Sequence, residues 1–192
     1  MITDLHPFDF IKPIFETKDA LFQFSRYVYT PDSLFDEREV FVLTGDEVTK
    51  SRIENEIAAL RPDQELAFHS KIKIKGRTFH LPMVDFSMRE VAGHRVFDRM
   101  SRYLPKNVML NMAVYSSGRS YHSYSKTLLS PKEWLDFMGR LLLINPVDQS
   151  GIIDTRWIGH RLIGGFSSLR WSNNSGQYLG MPSRINFSDI NY

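Results

Sequence analysis

Lys71-Ile72-Lys73-Ile74-Lys75-Gly76-Arg77 sets the period of the central part of the chain. Strict alternation of lysine and isoleucine is the pattern of a β-strand with one wet face and one buried face. Gly76-Arg77 then reads as a hairpin turn, and Thr78 to Phe86 as the returning strand. Before this hairpin, Val40–Leu43 has strand length. Thr44-Gly45-Asp46-Glu47 is a capping-box pattern opening a helix with Ile53, Ile57 and Leu60 inward, closed by Pro62. Residues 1–14 read as an arm packed on the core. Thr17 to Tyr29 reads as a helix with Ala20, Leu21, Phe24 and Val28 on one stripe.

After the hairpin, Ser87-Met88-Arg89-Glu90 is a second capping box, before a helix carrying Val96, Met100 and Tyr103. Val108 to Tyr115 reads as a buried strand, Ser116–Arg119 as a turn, and Tyr121 to Leu128 as extended chain. Ser130-Pro131-Lys132-Glu133 joins a cap, a first-turn proline and a box glutamate, ahead of a helix burying Trp134, Phe137, Met138 and Leu141. Ile152–Asp154 is a short strand, Thr155 to Ile163 a helix or wide turn, and Phe166 to Trp171 a strand. One more strand is expected in the loop-rich end. Interleaved helices, strands and hairpins imply an α/β (α+β) fold on a mixed sheet, not a doubly wound parallel one. A single domain over residues 1–192 is expected, with 1–64 as N-terminal arm and α/β unit and 65–192 as core.

The chain has 192 residues, 42% of them apolar and 24% charged, as in a globular domain with a sizeable core. No apolar run approaches the roughly 20 residues of a membrane helix, and Met1–His6 lacks the pattern of a signal peptide. A cytoplasmic location without membrane partners is the expectation. The absence of cysteine excludes disulfides, thiolate metal sites and a cysteine nucleophile. Net charge is +2 but uneven. Residues 1–96 carry 13 Lys/Arg against 16 Asp/Glu, and residues 97–192 carry 11 against 6, eight of the 11 being Arg. An arginine-biased half suits phosphate recognition, because guanidinium is a planar fork of donors. A solvated surface is the plainer explanation.

Three stretches place polar residues inside apolar strand contexts. In Leu81–Ser87, alternation puts Leu81, Met83, Asp85 and Ser87 on one face, so a carboxylate ends an apolar row where its hard oxygens could take a divalent cation. The structural alternative is that Asp85 caps a turn and Ser87 a helix. In Ser116–Lys126, a glycine-containing turn with Arg119 offers backbone N–H groups to an anion, and His122, Tyr124 and Lys126 share the following strand face. In Ile152–His160, Asp154 is a second carboxylate at a strand end, with Arg156 and His160 one turn apart; a structural Asp–Arg pair is the alternative. Arg170 sits in a strand further on. No P-loop, dinucleotide fingerprint, GxSxG elbow or HExxH is present. Neither His69 nor His122 has Ser or Thr two residues on, which removes a two-histidine phosphoesterase.

The order of these stretches resembles the archaeo-eukaryotic primase (primase-polymerase) superfamily: an acidic pair at a strand end, a small-x-His motif, then a further acid after an apolar strand. Asp85-Phe86-Ser87, Ser120-Tyr121-His122 and Ile153-Asp154 occupy those places, within a match over about residues 65–172. The resemblance implies an RNA-recognition-like sheet core preceded by an α/β unit, and a nucleotidyltransferase of DNA primase/polymerase type acting in replication. It implies Asp85 and Asp154 as ligands of Mg²⁺ or Mn²⁺, and Asp85, Asp154 and His122 as the catalytic set. Ser120, His122, Arg119, Lys126 and Arg170 would bind the phosphates of a nucleoside triphosphate. The implied partners are the triphosphate, DNA or RNA, and proteins of a replication or mobile-element assembly. Ser87 departs from the pattern, standing where the family has its second acid. Glu90, one turn on, could substitute, although its box would direct it to the cap. Two-metal chemistry needs charge to hold ions about 3.5–4 Å apart, so the alternative is an inactive primase-like module binding nucleic acid or protein. Both readings require Asp85, His122 and Asp154 to converge on one cleft.

Overall fold

The computed structural model describes residues 2–88, 94–147 and 151–185. In chain order the elements are α1 (Pro7–Phe15), β1 (Ala20–Val28), β2 (Arg38–Thr44), α2 (Lys50–Ala58), β3 (Gln64–Ile74), β4 (Arg77–His80) and β5 (Met83–Asp85). There follow α3 (His94–Tyr103), α4 (Lys106–Leu110), β6 (Met112–Ser116), β7 (Tyr121–Ser125), α5 (Pro131–Ile144), α6 (Thr155–Gly164), β8 (Ser168–Arg170) and β9 (Ser183–Ile185). The class is α+β, as expected, built as two sheets whose ladders among the described residues are all antiparallel. One runs β2-β1-β3-β4 with β8 also on β3; the other runs β5-β7-β6-β9.

The lysine–isoleucine stretch forms the end of β3. Its turn is one residue earlier than expected: Lys75 (φ 48°) and Gly76 (φ 79°) are the two loop residues, with Ile74 opposite Arg77. Two positive φ angles are what a two-residue hairpin loop requires to match strand twist. The returning strand does not run through to Phe86. It breaks at Leu81-Pro82, where proline has no N–H for the ladder, and the chain passes from the first sheet to the second. Leu81 N donates back to Ser70 O at 2.8 Å, and Pro82 O accepts from Ser125 N at 3.0 Å.

The segment expected as a helix over 17–29 is instead β1, hydrogen-bonded to β2 on one side and β3 on the other. Ala20, Phe22 and Phe24 alternate inward and are buried; partners on both edges outweigh a weak helical stripe. The arm does pack on the core, as α1, which buries Phe8, Ile11 and Phe15. The box at Thr44 and Glu47 forms on a single 3₁₀ turn. The helix then starts at its own cap, Thr49, with Ile53 buried. Gly45 is needed there because a Cβ would lie 2.0 Å from the Phe15 carbonyl oxygen. Residues 108–110, expected as the start of a strand, are instead the end of the short α4, whose N-cap is Pro105. The Ser130–Glu133 box and Pro131 open α5 as read from sequence. The helix after Ser87 is present as α3, but Glu90 lies outside the described residues.

Period-two alternation lets β5 serve two cores. Met83 joins α1, the first sheet, Tyr115, Tyr124 and Trp171, while Val84 and Phe86 join Trp134, Phe137 and Leu141 from α5. No helix among the described residues is long and apolar enough to cross a membrane.

Buried histidines make this fold acid-sensitive. Burial lowers His6 to about 4, His69 to about 2, His80 to about 4 and His122 to about 3. Below pH 6.5 the unfolded chain takes up protons that the folded chain refuses, so stability falls by up to about 1.4 kcal/mol per pH unit for each such histidine. Asp85, raised to about 8, works in the opposite sense and offsets the histidines near pH 7, where the unfolded histidines are only partly protonated; below about pH 6.5 the four outweigh it. Urea unfolding between pH 6.5 and 5 should show a falling midpoint; a flat profile would contradict this account.

Candidate functional site

The three expected residues come together through strand register. Phe86 N donates to Tyr121 O, and Ser125 N to Pro82 O, both at 3.0 Å. Asp85 and His122, paired between these rungs, therefore occupy a non-hydrogen-bonded position, where cross-strand side chains approach most closely. On the other side of β5, Asp154 N donates to Asp85 O and Ser87 N to Ile152 O, both at 3.0 Å, around the Phe86–Ile153 bridge. Residues directly opposite share a sheet face. Asp154, Asp85 and His122 thus form one row across three neighbouring segments.

The row opens into a cleft of about 670 Å³ that also takes in Arg119, Ser120, Arg170, Arg161, Arg38 and Asp36. His122 Nε2 is 3.7 Å from Asp85 Oδ1, too long for a hydrogen bond, and its buried Nδ1 has no partner among the described residues. Burial, together with the nearby Arg170 charge, pushes His122 down to about 3. Burial and the Asp154 charge push Asp85 up to about 8, against the opposing pull of Arg170 and Arg161. At neutral pH the imidazole is uncharged, so the two do not form an ion pair.

Asp154 is also the N-cap of α6: its Oδ1 accepts from Trp157 N at 2.9 Å. This makes the segment after Asp154 helical, and the Asp154–Arg156 pair considered from sequence is absent. Arg156 instead donates to Ser33 O at 2.6 Å. Ser87 Oγ donates to Gly151 O at 2.6 Å, which directs the hydroxyl at the place of the missing acid toward the backbone. Ser120 Oγ donates to Phe86 O, tying the turn to the end of β5. Gly118 in that turn has φ 102°, and a Cβ there would meet Gly180 N at 3.0 Å. Arg119 stands exposed at the mouth with no ion pair among the described residues.

Arg170 is buried. It donates to the carbonyls of Ser172, Ser117 (2.6 Å) and Gly180 (3.2 Å), with its guanidinium carbon 3.9 Å from the Tyr178 ring centre. It therefore brings positive charge to the cleft wall while binding the Ser117 turn to the C-terminal loop. Lys126 does not join the row. β7 ends at Ser125, so alternation stops there, and the Lys126 ammonium lies 4.8 Å from the Phe10 ring centre on α1. Tyr124 shares the His122 face but is buried in the core, accepting from Trp171 Nε1 at 3.1 Å.

Sequence reasoning missed Arg161, Asp36 and Arg38. Asp36 accepts from Arg161 and, at 2.8 Å, from Arg38, which anchors the β1–β2 connection to α6. Burial works against its ionisation, yet Arg38 and Arg161 together hold the carboxyl down at about 2. Arg161 was readable, being seven residues, or two helical turns, beyond the cap Asp154. Asp36 and Arg38 carry no local signal. No cluster of three or more His, Asp or Glu side chains suited to a metal occurs among the described residues.

The profile of the archaeo-eukaryotic primase 1D-like family (AEP-like) matches residues 44–183. That is well over half the chain, and the chain belongs to this family, which ties it to primase-type, nucleic-acid-related function. Comparison with curated proteins and with solved structures gave no match.

Asp36→Asn removes the carboxylate facing the buried Arg161. The expected loss is about 1–3 kcal/mol at pH 7, below the value for a fully buried pair because Asp36 is partly exposed. A carboxyl held at about 2 gives its stabilisation above its ordinary pKa near 4 and loses it as pH falls toward 2. Urea unfolding should therefore show the gap to wild type closing below pH 4.

Proposed function

We propose that this domain binds a nucleoside triphosphate and nucleic acid in the cleft and carries out metal-dependent, template-directed nucleotidyl transfer. The observation that carries the reading is the row Asp154–Asp85–His122, shared by three adjacent segments and opening into one arginine-walled cleft. The donor set suits one divalent cation. Asp85 and Asp154 lie on one face of adjacent segments, and burial together with the Asp154 charge raises the Asp85 carboxyl to about 8. Asp85 and Asp154 would hold the ion, and it would supply neutralisation of phosphate charge.

Around it, neutral His122 would donate its ring N–H to a phosphate oxygen, and Arg119 and Arg170 would supply positive charge. The reaction joins a strand's 3′-oxygen to the α-phosphorus, breaks the bond to the β-phosphate bridging oxygen and releases pyrophosphate. The 3′-hydroxyl proton leaves to solvent.

A second reading rests on Ser87. With its hydroxyl turned to Gly151 O, the row offers two carboxylates and not three among the described residues, as in a primase-like binding module that no longer polymerises. Primer extension with manganese separates the two. The active reading expects incorporation by wild type and a loss of at least about 100-fold in Asp85→Ala, on the scale of removing a transition-state charge stabiliser. No incorporation by wild type, or undiminished incorporation by D85A, would reject it. Ser87→Asp addresses the binding-module reading: newly created or sharply increased manganese-dependent incorporation is the expected result if a missing charge limits the natural chain, and no gain would count against that explanation.

A further inference from the structure

The β1–β2 connection, residues 29–37, divides the cleft from a second concavity of about 510 Å³. Phe35 lines both. Its side chain is exposed, with a relative accessibility of 76% for the residue, although covering such a ring is ordinarily favourable. The backbone that presents it is tied down on both sides. Phe35 N donates to Ser33 Oγ at 3.0 Å, Ser33 O accepts from Arg156, and Asp36 is held by Arg38 and Arg161. An anchored ridge thus carries an uncovered aromatic face between two hollows.

The walls of the second hollow are polar. Arg26, Arg38 and Arg61 line it against Glu37 and Glu39. Arg26 is engaged by Glu39 at 2.7 Å and Glu56 at 2.5 Å, and Arg38 by Asp36. Arg61 is the most open, 65% exposed with Asp63 at 3.5 Å. Polar walls do not suit an apolar peptide. A ligand that alternates flat apolar rings with anionic links matches an exposed ring with guanidinium groups nearby, Arg61 the most open of them.

We propose that Phe35 is a stacking platform for a base of single-stranded nucleic acid, whose strand runs from the cleft over the β1–β2 ridge into the second hollow. The inference deepens the nucleic-acid reading above and rests on it. Because the lining glutamates offset much of the arginine charge, stacking contributes more here than ion release, and the salt dependence of binding is shallow.

The test measures a labelled short oligothymidine by fluorescence anisotropy, with inorganic polyphosphate as a base-free competitor. Phe35→Ala should weaken oligothymidine binding about 5- to 100-fold, keep the melting temperature, and leave polyphosphate competition at its wild-type strength. Phe35→Trp should retain binding and add indole quenching on oligothymidine beyond that of the natural tryptophans. Wild-type affinity in F35A, equal weakening toward polyphosphate, or no added quenching in F35W overturns the platform while leaving the cleft reading intact. A wild-type protein that binds no oligothymidine overturns both.

Discussion

β5 is only three residues long, yet it is hydrogen-bonded along both edges, to β7 on one side and to Ile152–Asp154 on the other. That double pairing is the constraint on which the site depends. A slip of one residue would turn Asp85 into the apolar space now filled by Val84 and Phe86 and would expose those two instead. The burial of Val84 and Phe86 against α5 therefore fixes the register that aligns Asp85 with His122 and Asp154. Hydrophobic packing on one face of a short strand sets the position of charge on the other.

The cleft carries both signs of charge. Asp85 and Asp154 face it together with Arg161, Arg38 and Arg170; Arg170 and Arg161 act on Asp85 through space, while the guanidinium donors are taken up largely by Asp36 and by backbone carbonyls. Buried guanidinium groups so bonded are fixed in place, which reduces the reorganisation needed when an anion arrives. Burial and the Asp154 charge raise the Asp85 carboxyl against the pull of Arg170 and Arg161.

Several polar residues that stand out in the sequence spend their donors on the fold. Ser87 bonds Gly151, Ser120 bonds Phe86, Asp154 caps α6, and Arg170 staples a turn to the C-terminal loop. A motif residue can hold the scaffold and face the cleft together: Asp154 uses one oxygen for the cap and keeps the other. Ser87 has a single hydroxyl, and its proton goes to a backbone carbonyl.

The chain's own order of residues determined the β3–β4 hairpin, the α5 cap, the α+β class and the identity of Asp85, His122 and Asp154 as polar residues at strand ends, because alternation and capping are local patterns. Tertiary structure decided the rest. β1 is a strand because it has partners on both edges, the hairpin strand is cut at Pro82 because the chain changes sheets there, and Lys126 falls away from the site because β7 stops one residue earlier. Asp36, Arg38, Arg161 and the ridge at Phe35 belong to the cleft only because a loop from the start of the chain is pinned to a helix more than a hundred residues later. That contact between distant segments leaves no periodic trace in the sequence.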